Sequence, residues 1–230
     1  MAHKLYREAH PLAFVITHWV NLLAMLFLTL SGFYIHYPIF PGFMSVARGT
    51  HFFWMFVLII NLTLRIILAF VVKSAVMPDT REQEKDIKNW LPQAANRHQL
   101  VPWVKYYLFI KKDHPISAKY GVLQKIAYVA TIPITLLAAY TGFALWGPTS
   151  DWAFFQAGTT WVASLFNAGG GGDPMPMRIL HYWVMWVVLI FTAAHVYLAN
   201  IYNFAPSKMI FAWKESTGHE AGSKSERHVA

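Results

Sequence analysis

Four histidines stand where an ionisable side chain is costly, and they are the residues of this sequence best suited to bind a metal or cofactor. They lie within or at the ends of long apolar stretches, where such residues usually mark a functional site. They are His18, His51, His181 and His195. One such histidine alone could equally hydrogen-bond a neighbouring helix, so the arrangement of all four decides between these interpretations.

The elements that must position these histidines are four apolar stretches. A transmembrane helix needs about 20 mostly apolar residues, and the stretches cover residues 12–35, 51–72, 122–146 and 179–204. None contains Asp or Glu, and their only Lys or Arg residues are Arg65 and Lys125. Only 13% of the 230 residues are charged, against roughly 25% in a soluble domain. The sequence therefore predicts an all-α protein, a single domain (1–230) built as a four-transmembrane-helix bundle.

Basic residues are concentrated in one of the three predicted loops. Loop 73–121 holds nine Lys and Arg residues, whereas loops 36–50 and 147–178 hold one each. Because cytoplasmic loops are enriched in Lys and Arg, loop 73–121, the N-terminus and the tail at 205–230 are predicted to be cytoplasmic, in a bacterial or archaeal cell membrane. This placement accounts for the net charge of +8 without a nucleic-acid partner.

The four histidines fall into two pairs at two depths. His18 follows the cytoplasmic start of its stretch by six residues and His195 precedes the end of its stretch by eight to nine, so both lie about 9–13 Å deep. His51 and His181 are expected at the outer mouths of the second and fourth helices. His181 and His195 are 14 residues apart, so they face the same side of a helix about 21 Å apart. Two imidazoles at one level suit the axial positions of a haem iron, and the pattern predicts two haems b.

Other interpretations of these histidines are less well supported. The chain has no Cys, which excludes covalently attached c-type haem and thiolate metal sites. A zinc site is disfavoured because the pairs are far apart and no carboxylate or thiolate joins them. A transporter that relays protons would normally have intramembrane Asp or Glu. A haem-free membrane anchor for a partner protein is the remaining alternative.

Three further features lie outside the histidine pairs. Arg65 follows His51 by 14 residues, so it is expected at the level of the inner pair, where it either neutralises a haem propionate or extends to the interface. Segment 101–112 mixes aromatic residues with lysines and is either an interfacial segment or a packed loop. Loop 147–178 carries five aromatic residues before four glycines at 169–172, and an exposed apolar loop of this kind usually contacts a partner or an interface.

Short motifs surround the histidines and end two of the stretches. They are Thr17-His18-Trp19, segments 48–52, 64–70 and 141–145, and His195-Val196-Tyr197. Together with the 14-residue spacing of His181 and His195, they make the chain resemble a known family over nearly its whole length. This family comprises the four-helix, dihaem cytochrome b subunits of membrane-bound nickel–iron hydrogenases, formate dehydrogenases and thiosulfate reductases.

The resemblance implies a pairing of His51 with His181 for an outer haem and of His18 with His195 for an inner haem. It also implies an iron–sulfur subunit and a catalytic subunit as partners, the former docking at the outer face. A quinone, either menaquinone or ubiquinone, is implied near the inner haem. The chain would then transfer electrons, and the catalytic chemistry would belong to another subunit.

Three segments bear on which branch of the family the chain resembles. Segments 64–70 and 106–109 resemble the hydrogenase branch, which favours hydrogen as the electron donor. Residues 119–125 resemble the turn before helix three in the formate branch, although Gly121 stands where that branch has an Asn that helps to hold quinone. Tyr120 and Gln124 in this turn are the candidate quinone-binding residues. A formate dehydrogenase or thiosulfate reductase-type complex is the alternative.

Overall fold

The structure of the chain is a computed structural model that describes residues 6–77, 79–90, 97–112, 115, 119–166, 173–200 and 204–215. Strands β1 (Lys73–Ala75) and β2 (Gln83–Lys85) form a short antiparallel hairpin, and two 3-10 turns cover Arg7–Ala9 and Arg97–Gln99. The helices in chain order are α1 (Leu12–His36), α2 (Met44–Val71), α3 (Ile87–Trp90), α4 (Leu100–Tyr107), α5 (Val122–Leu145), α6 (Gly147–Ser150), α7 (Ala153–Leu165), α8 (Met175–Asn200) and α9 (Ala205–Ala212).

Four of these helices, α1, α2, α5 and α8, are long and apolar enough to cross a membrane. They correspond to the four predicted stretches, so the predicted all-α architecture with four membrane-spanning helices is confirmed. The α2 helix also exposes a continuous apolar stripe that suits contact with lipid tails, formed by Ile60, Leu64, Ile67 and Phe70. We call the end of the bundle that carries residues 73–121 the inner end, and the opposite end, which carries α7, the outer end.

Two of the long helices begin before their predicted first residues. α2 begins at Met44, after a turn in which Gly42 has a φ of 84° that favours glycine. α8 begins at Met175, whose backbone N–H donates to Asp173 Oδ1 at 2.9 Å. The prediction that His51 and His181 lie at the mouths of their helices is therefore wrong, because each lies roughly 9–11 Å inside. Hydropathy marks only the apolar part of a helix, whereas its hydrogen bonding continues into the polar interface.

The four long helices pack as two pairs. α1 lies along α2 and α5 lies along α8, whereas the α1/α2 pair approaches the α5/α8 pair much less closely. Within the first pair, the side-chain amide of Asn61 donates to the buried Thr17 carbonyl at 2.9 Å. Such polar bonds hold helices together in lipid, where no hydrophobic driving force acts between them. The histidines face one another across the less tightly packed zone between the two pairs.

Residues 101–112, which include most of α4, were predicted to be either an interfacial segment or a packed loop, and the structure has features of both. Trp103 and Tyr107 are buried against Val122 at the start of α5. The residues that follow α4 are instead exposed by 62%, 75% and 69%, namely Leu108, Phe109 and Ile110. One face of this segment therefore packs on the bundle, while its end presents apolar side chains that suit a membrane interface.

Asp86 is a buried carboxylate that joins the inner loop to the bundle. It accepts hydrogen bonds from Arg65 Nη2 (2.7 Å), Lys119 Nζ (2.8 Å), Ser74 Oγ (2.7 Å) and Trp90 Nε1 (3.0 Å). Burial by itself would raise the pKa of Asp86, but the neighbouring Lys119 and Arg65 outweigh burial, so this pKa lies below its usual value. The inner end of α2 is thus fixed to the loop by one carboxylate between two cations.

At the outer end, the aromatic residues predicted in loop 147–178 lie mostly on helix α7. Phe155 is buried against Ala144 and Met177. The other four aromatic side chains are 57% to 69% exposed, and they are Trp152, Phe154, Trp161 and Phe166. The glycines at 169–172 lie outside the described residues. This exposed aromatic face fits the predicted contact with a partner or an interface.

Replacing Asp86 with Asn is expected to destabilise the protein by about 3–5 kcal/mol, because the variant leaves the half-buried Arg65 and the buried Lys119 without a counter-charge. Unfolding in detergent micelles, followed by circular dichroism, measures this loss. Because the pKa of Asp86 is lowered on folding, the stabilisation is present above the unfolded pKa of about 3.9 and is lost as pH falls through the folded pKa.

The matched control for this prediction is Glu84→Gln. The Glu84 carboxylate pairs at 3.0 Å with Lys88, whose side chain is 66% exposed, and such surface pairs contribute less than about 1 kcal/mol. Equal stabilities of the Asp86→Asn and Glu84→Gln variants would contradict the structural role given to Asp86.

Candidate functional site

The structure brings the four histidines together in the two pairs that their depths predict. His51 on α2 faces His181 on α8 with 6.2 Å between ring centroids and 72° between ring planes. His18 on α1 faces His195 on α8 with 6.5 Å between centroids and 40° between planes. The single helix α8 therefore supplies one ring to the outer pair and one to the inner pair.

The separation of the rings in each pair fits two imidazoles that share one metal ion. A metal–imidazole bond is about 2.0–2.1 Å long, so two imidazoles on opposite sides of one ion have ring centres roughly 6.4 Å apart. Both observed separations, 6.2 Å and 6.5 Å, are close to this value. A haem iron has two such axial positions on opposite faces of its ring. The residues present therefore fit two axially ligated haems.

A cluster of three or more ligands, as a structural zinc ion needs, is not found in the part of the chain that the structure describes. His181 and His195 lie 14 residues apart on one helix, about 21 Å along its axis, so the two pairs cannot share an ion. The pairwise arrangement therefore favours an axially ligated cofactor over a protein-only metal site.

The two outer histidines each contact a hydroxyl group on a neighbouring helix. Ser31 Oγ of α1 lies 3.0 Å from His51 Nδ1, and Thr141 Oγ1 of α5 lies 2.7 Å from His181 Nδ1. Metal-binding histidines usually have a hydrogen-bond partner at the nitrogen that does not bind the metal. The sequence motifs include Thr141 within segment 141–145 but did not predict either hydroxyl–histidine contact. Each hydroxyl residue directly precedes a glycine, and this repeated dipeptide was the available signal.

The glycines that follow these hydroxyl residues allow the rings to lie close to the helix backbone. A Cβ atom added to Gly32 would lie 3.4 Å from His51 Cε1, and one added to Gly142 would lie 3.4 Å from His181 Cε1. An alanine Cβ at either position would therefore be in van der Waals contact with the imidazole, and a longer side chain would have to displace the ring.

The inner pair has different surroundings. His18 Nδ1 is buried and has no hydrogen-bond partner among the described residues. The ring of His195 stacks on Phe191, with 6.4 Å between centroids and 13° between planes. Next to His18, Trp19 Nε1 donates to the Ile210 carbonyl at 3.2 Å, so α9 covers this part of the inner end.

The remaining candidate residues lie at the inner end, where protein contacts already engage them. Arg65 is paired with Asp86 and lies 4.0 Å from the ring centre of Phe14. Gln124 Oε1 accepts a hydrogen bond from the Gly121 backbone N–H at 2.9 Å and so caps α5. Tyr120 stacks on Tyr128, with 5.9 Å between ring centroids. By contrast, His36 at the outer end is exposed and stacks on Tyr182.

Comparison with known proteins agrees with this geometry. The family described as "Prokaryotic cytochrome b561" matches residues 9–212. The chain is 26% identical over 199 residues to the "Probable Ni/Fe-hydrogenase 1 B-type cytochrome subunit" of Escherichia coli (strain K12), covering 80% of this chain and 78% of that protein. It is 28% identical over 199 residues to the "Probable Ni/Fe-hydrogenase B-type cytochrome subunit" of Azotobacter chroococcum mcd 1, covering 79% and 75%.

A third relative carries the same name and comes from Rhizobium leguminosarum bv. viciae. It is 26% identical over 200 residues, covering 80% of this chain and 76% of that protein. The resemblance to hydrogenase cytochromes that the sequence motifs indicate is thereby confirmed. With its four apolar helices, the chain belongs to the prokaryotic cytochrome b561 family and is an integral membrane cytochrome related to the b-type subunits of nickel–iron hydrogenases.

Proposed function

We propose that this chain carries electrons through two haems b between a hydrogenase module outside the cytoplasm and the quinone pool. The family implies a b-type haem and an electron-transfer role, and the relatives are named as hydrogenase subunits. The observation that carries the proposal is the presence of two histidine pairs whose ring separations, 6.2 Å and 6.5 Å, each suit one axially ligated iron.

Each histidine pair holds one haem between the α1/α2 pair and α8. His51 and His181 are the ligands at the outer site, and His18 and His195 are the ligands at the inner site. When bound, each haem supplies a one-electron Fe(III)/Fe(II) couple. The chain contributes the axial nitrogens, and the hydrogen-bonded α8 helix keeps its two ligands about 21 Å apart.

The inner end is the proposed site of quinone reaction and of a propionate contact. Tyr120 and Gln124 are the candidate quinone residues, and because Gln124 Oε1 caps α5, the amide N–H group of Gln124 remains for a quinone. Arg65 Nη1 is buried and has no hydrogen-bond partner among the described residues. An arginine N–H in this state suits a carboxylate such as a haem propionate.

The two ends of the bundle suit different neighbours. The exposed aromatic side chains of α7 supply an apolar outer surface that an iron–sulfur subunit would cover, and the catalytic subunit lies beyond that subunit. The nine basic residues of loop 73–121 support a cytoplasmic inner end, with both termini in the cytoplasm of a bacterial or archaeal cell.

The purified chain is expected to bind two haems b, seen in a dithionite-reduced minus oxidised visible spectrum with haem quantified per polypeptide. Replacing His51 with Ala removes an axial ligand of the outer site and should lower the content to one haem. The matched control is His36→Ala, which removes an exposed histidine at the same end and should leave two haems. If the wild-type chain bound no haem, this proposal would be wrong and the haem-free membrane anchor would be the better interpretation.

Replacing His195 with Ala is expected to remove the inner haem and leave the outer haem reducible by dithionite. Because electrons then have no path to the inner end, reoxidation of the reduced protein by a water-soluble menaquinone analogue should slow by more than an order of magnitude. Stopped-flow absorbance of the haem band measures this rate. Retention of both haems, or an unchanged rate, would contradict the assigned role of His195.

A further inference from the structure

The outer histidines are held by the same dipeptide arrangement on two different helices. On α1, Ser31 contacts His51 Nδ1 at 3.0 Å, and Gly32 lies beside the same ring. On α5, Thr141 contacts His181 Nδ1 at 2.7 Å, and Gly142 lies beside that ring. The outer site therefore has a hydroxyl group and a glycine behind each of its two ligands.

The hydroxyl groups determine which ring nitrogen carries the proton. Each hydroxyl has one hydrogen, and each lies within bonding distance of a carbonyl one turn earlier in its own helix. Ser31 Oγ lies 2.5 Å from the Phe27 carbonyl, and Thr141 Oγ1 lies 2.9 Å from the Leu137 carbonyl. A hydroxyl that donates to a carbonyl can only accept from the histidine. In this arrangement Nδ1–H donates to the hydroxyl oxygen in both rings, and Nε2 has the lone pair for iron.

The glycines leave room for the rings that the hydroxyl groups hold. At both positions the Cβ site lies 3.4 Å from Cε1, so each ring is at van der Waals distance from a glycine. The hydrogen bond then restrains rotation about the side-chain torsions, because a turned ring would lose its partner. Each outer histidine is thus hydrogen-bonded by a Ser or Thr and lies beside the glycine that follows it in the chain.

The inner site lacks this arrangement at His18. His18 Nδ1 is buried without a hydrogen-bond partner among the described residues, and the ring of His195 stacks on Phe191. The outer histidines therefore have hydrogen-bond partners that make Nε2 more basic, whereas His18 has no such partner among the described residues.

We propose that Ser31 and Thr141 are positioning residues that give the outer haem a lower reduction potential than the inner haem. The inference rests on the proposed function, since it needs both haems. A hydrogen bond donated by Nδ1–H increases electron density on Nε2, and a more basic axial ligand favours ferric over ferrous iron. Electrons that enter at the outer end then move energetically downhill towards the inner end.

Redox titration of the full chain, followed in the visible region and by electron paramagnetic resonance, tests this proposal with Ser31→Ala and Thr141→Val. In the double variant the ratio of reduced to oxidised outer haem at a fixed potential should rise about tenfold, equal to a shift of about 59 mV for one electron. The ferric resonance of the outer haem should move, while that of the inner haem should not. The His51→Ala protein, which keeps only the inner haem, assigns the signals.

Two further variants separate tuning from general disturbance. Thr141→Ser keeps the hydroxyl and should behave like wild type. Thr192→Val removes a hydroxyl of α8 that donates to the Val188 carbonyl at 2.8 Å, and it should leave both potentials unchanged. Loss of the outer haem in Thr141→Val but not in Thr141→Ser would also support the positioning role.

Unchanged outer potential and resonance in a double variant that holds two haems would overturn the inference while leaving the proposed function intact. Equal shifts of both haems would overturn it as well. A wild-type chain that binds no haem would overturn both proposals, and this spectrum is recorded first.

Discussion

The position of both candidate haem sites depends on one helix, because α8 contributes a ring to each histidine pair. A helix fixes the rise and rotation between any two of its residues, so His181 and His195 cannot move independently. The opposing ligands come from two different helices, His51 from α2 and His18 from α1. Packing of α1 along α2 must therefore set these two histidines at matching depths, and the buried Asn61–Thr17 hydrogen bond one residue from His18 supports that register.

Polar contacts join elements at both ends of the bundle, and such contacts matter where lipid removes the hydrophobic drive between helices. At the outer end these contacts are hydroxyl–imidazole bonds that cross from α1 to α2 and from α5 to α8. At the inner end Asp86 accepts from groups of α2, of the β-hairpin and of the segment before α5. Polar groups therefore fix neighbouring elements at each end of the bundle. The zone between the two helix pairs is packed less tightly.

Sequence reasoning predicted the elements whose signal is local. The lengths of the apolar stretches predicted the four long helices. The 14-residue spacing of His181 and His195 predicted that both lie on the same face of one helix. It did not predict where α2 and α8 begin, because their first turns are interfacial and not apolar. It missed Asp86, since the burial of a loop carboxylate depends on tertiary contacts with Arg65 and Lys119. The histidine contacts of Ser31 and Thr141 were not predicted because a helical hydroxyl usually bonds only its own backbone.

The Asp86 contacts also bear on the order in which the chain assembles during synthesis. Arg65 lies in the last two turns of α2, Asp86 follows in the loop, and Lys119 stands just before α5. Chains are made from the N-terminus onwards, so the carboxylate meets its second cation only after α1 and α2 have left the ribosome. The inner loop can therefore be fixed by both cations only after the first helix pair has been made.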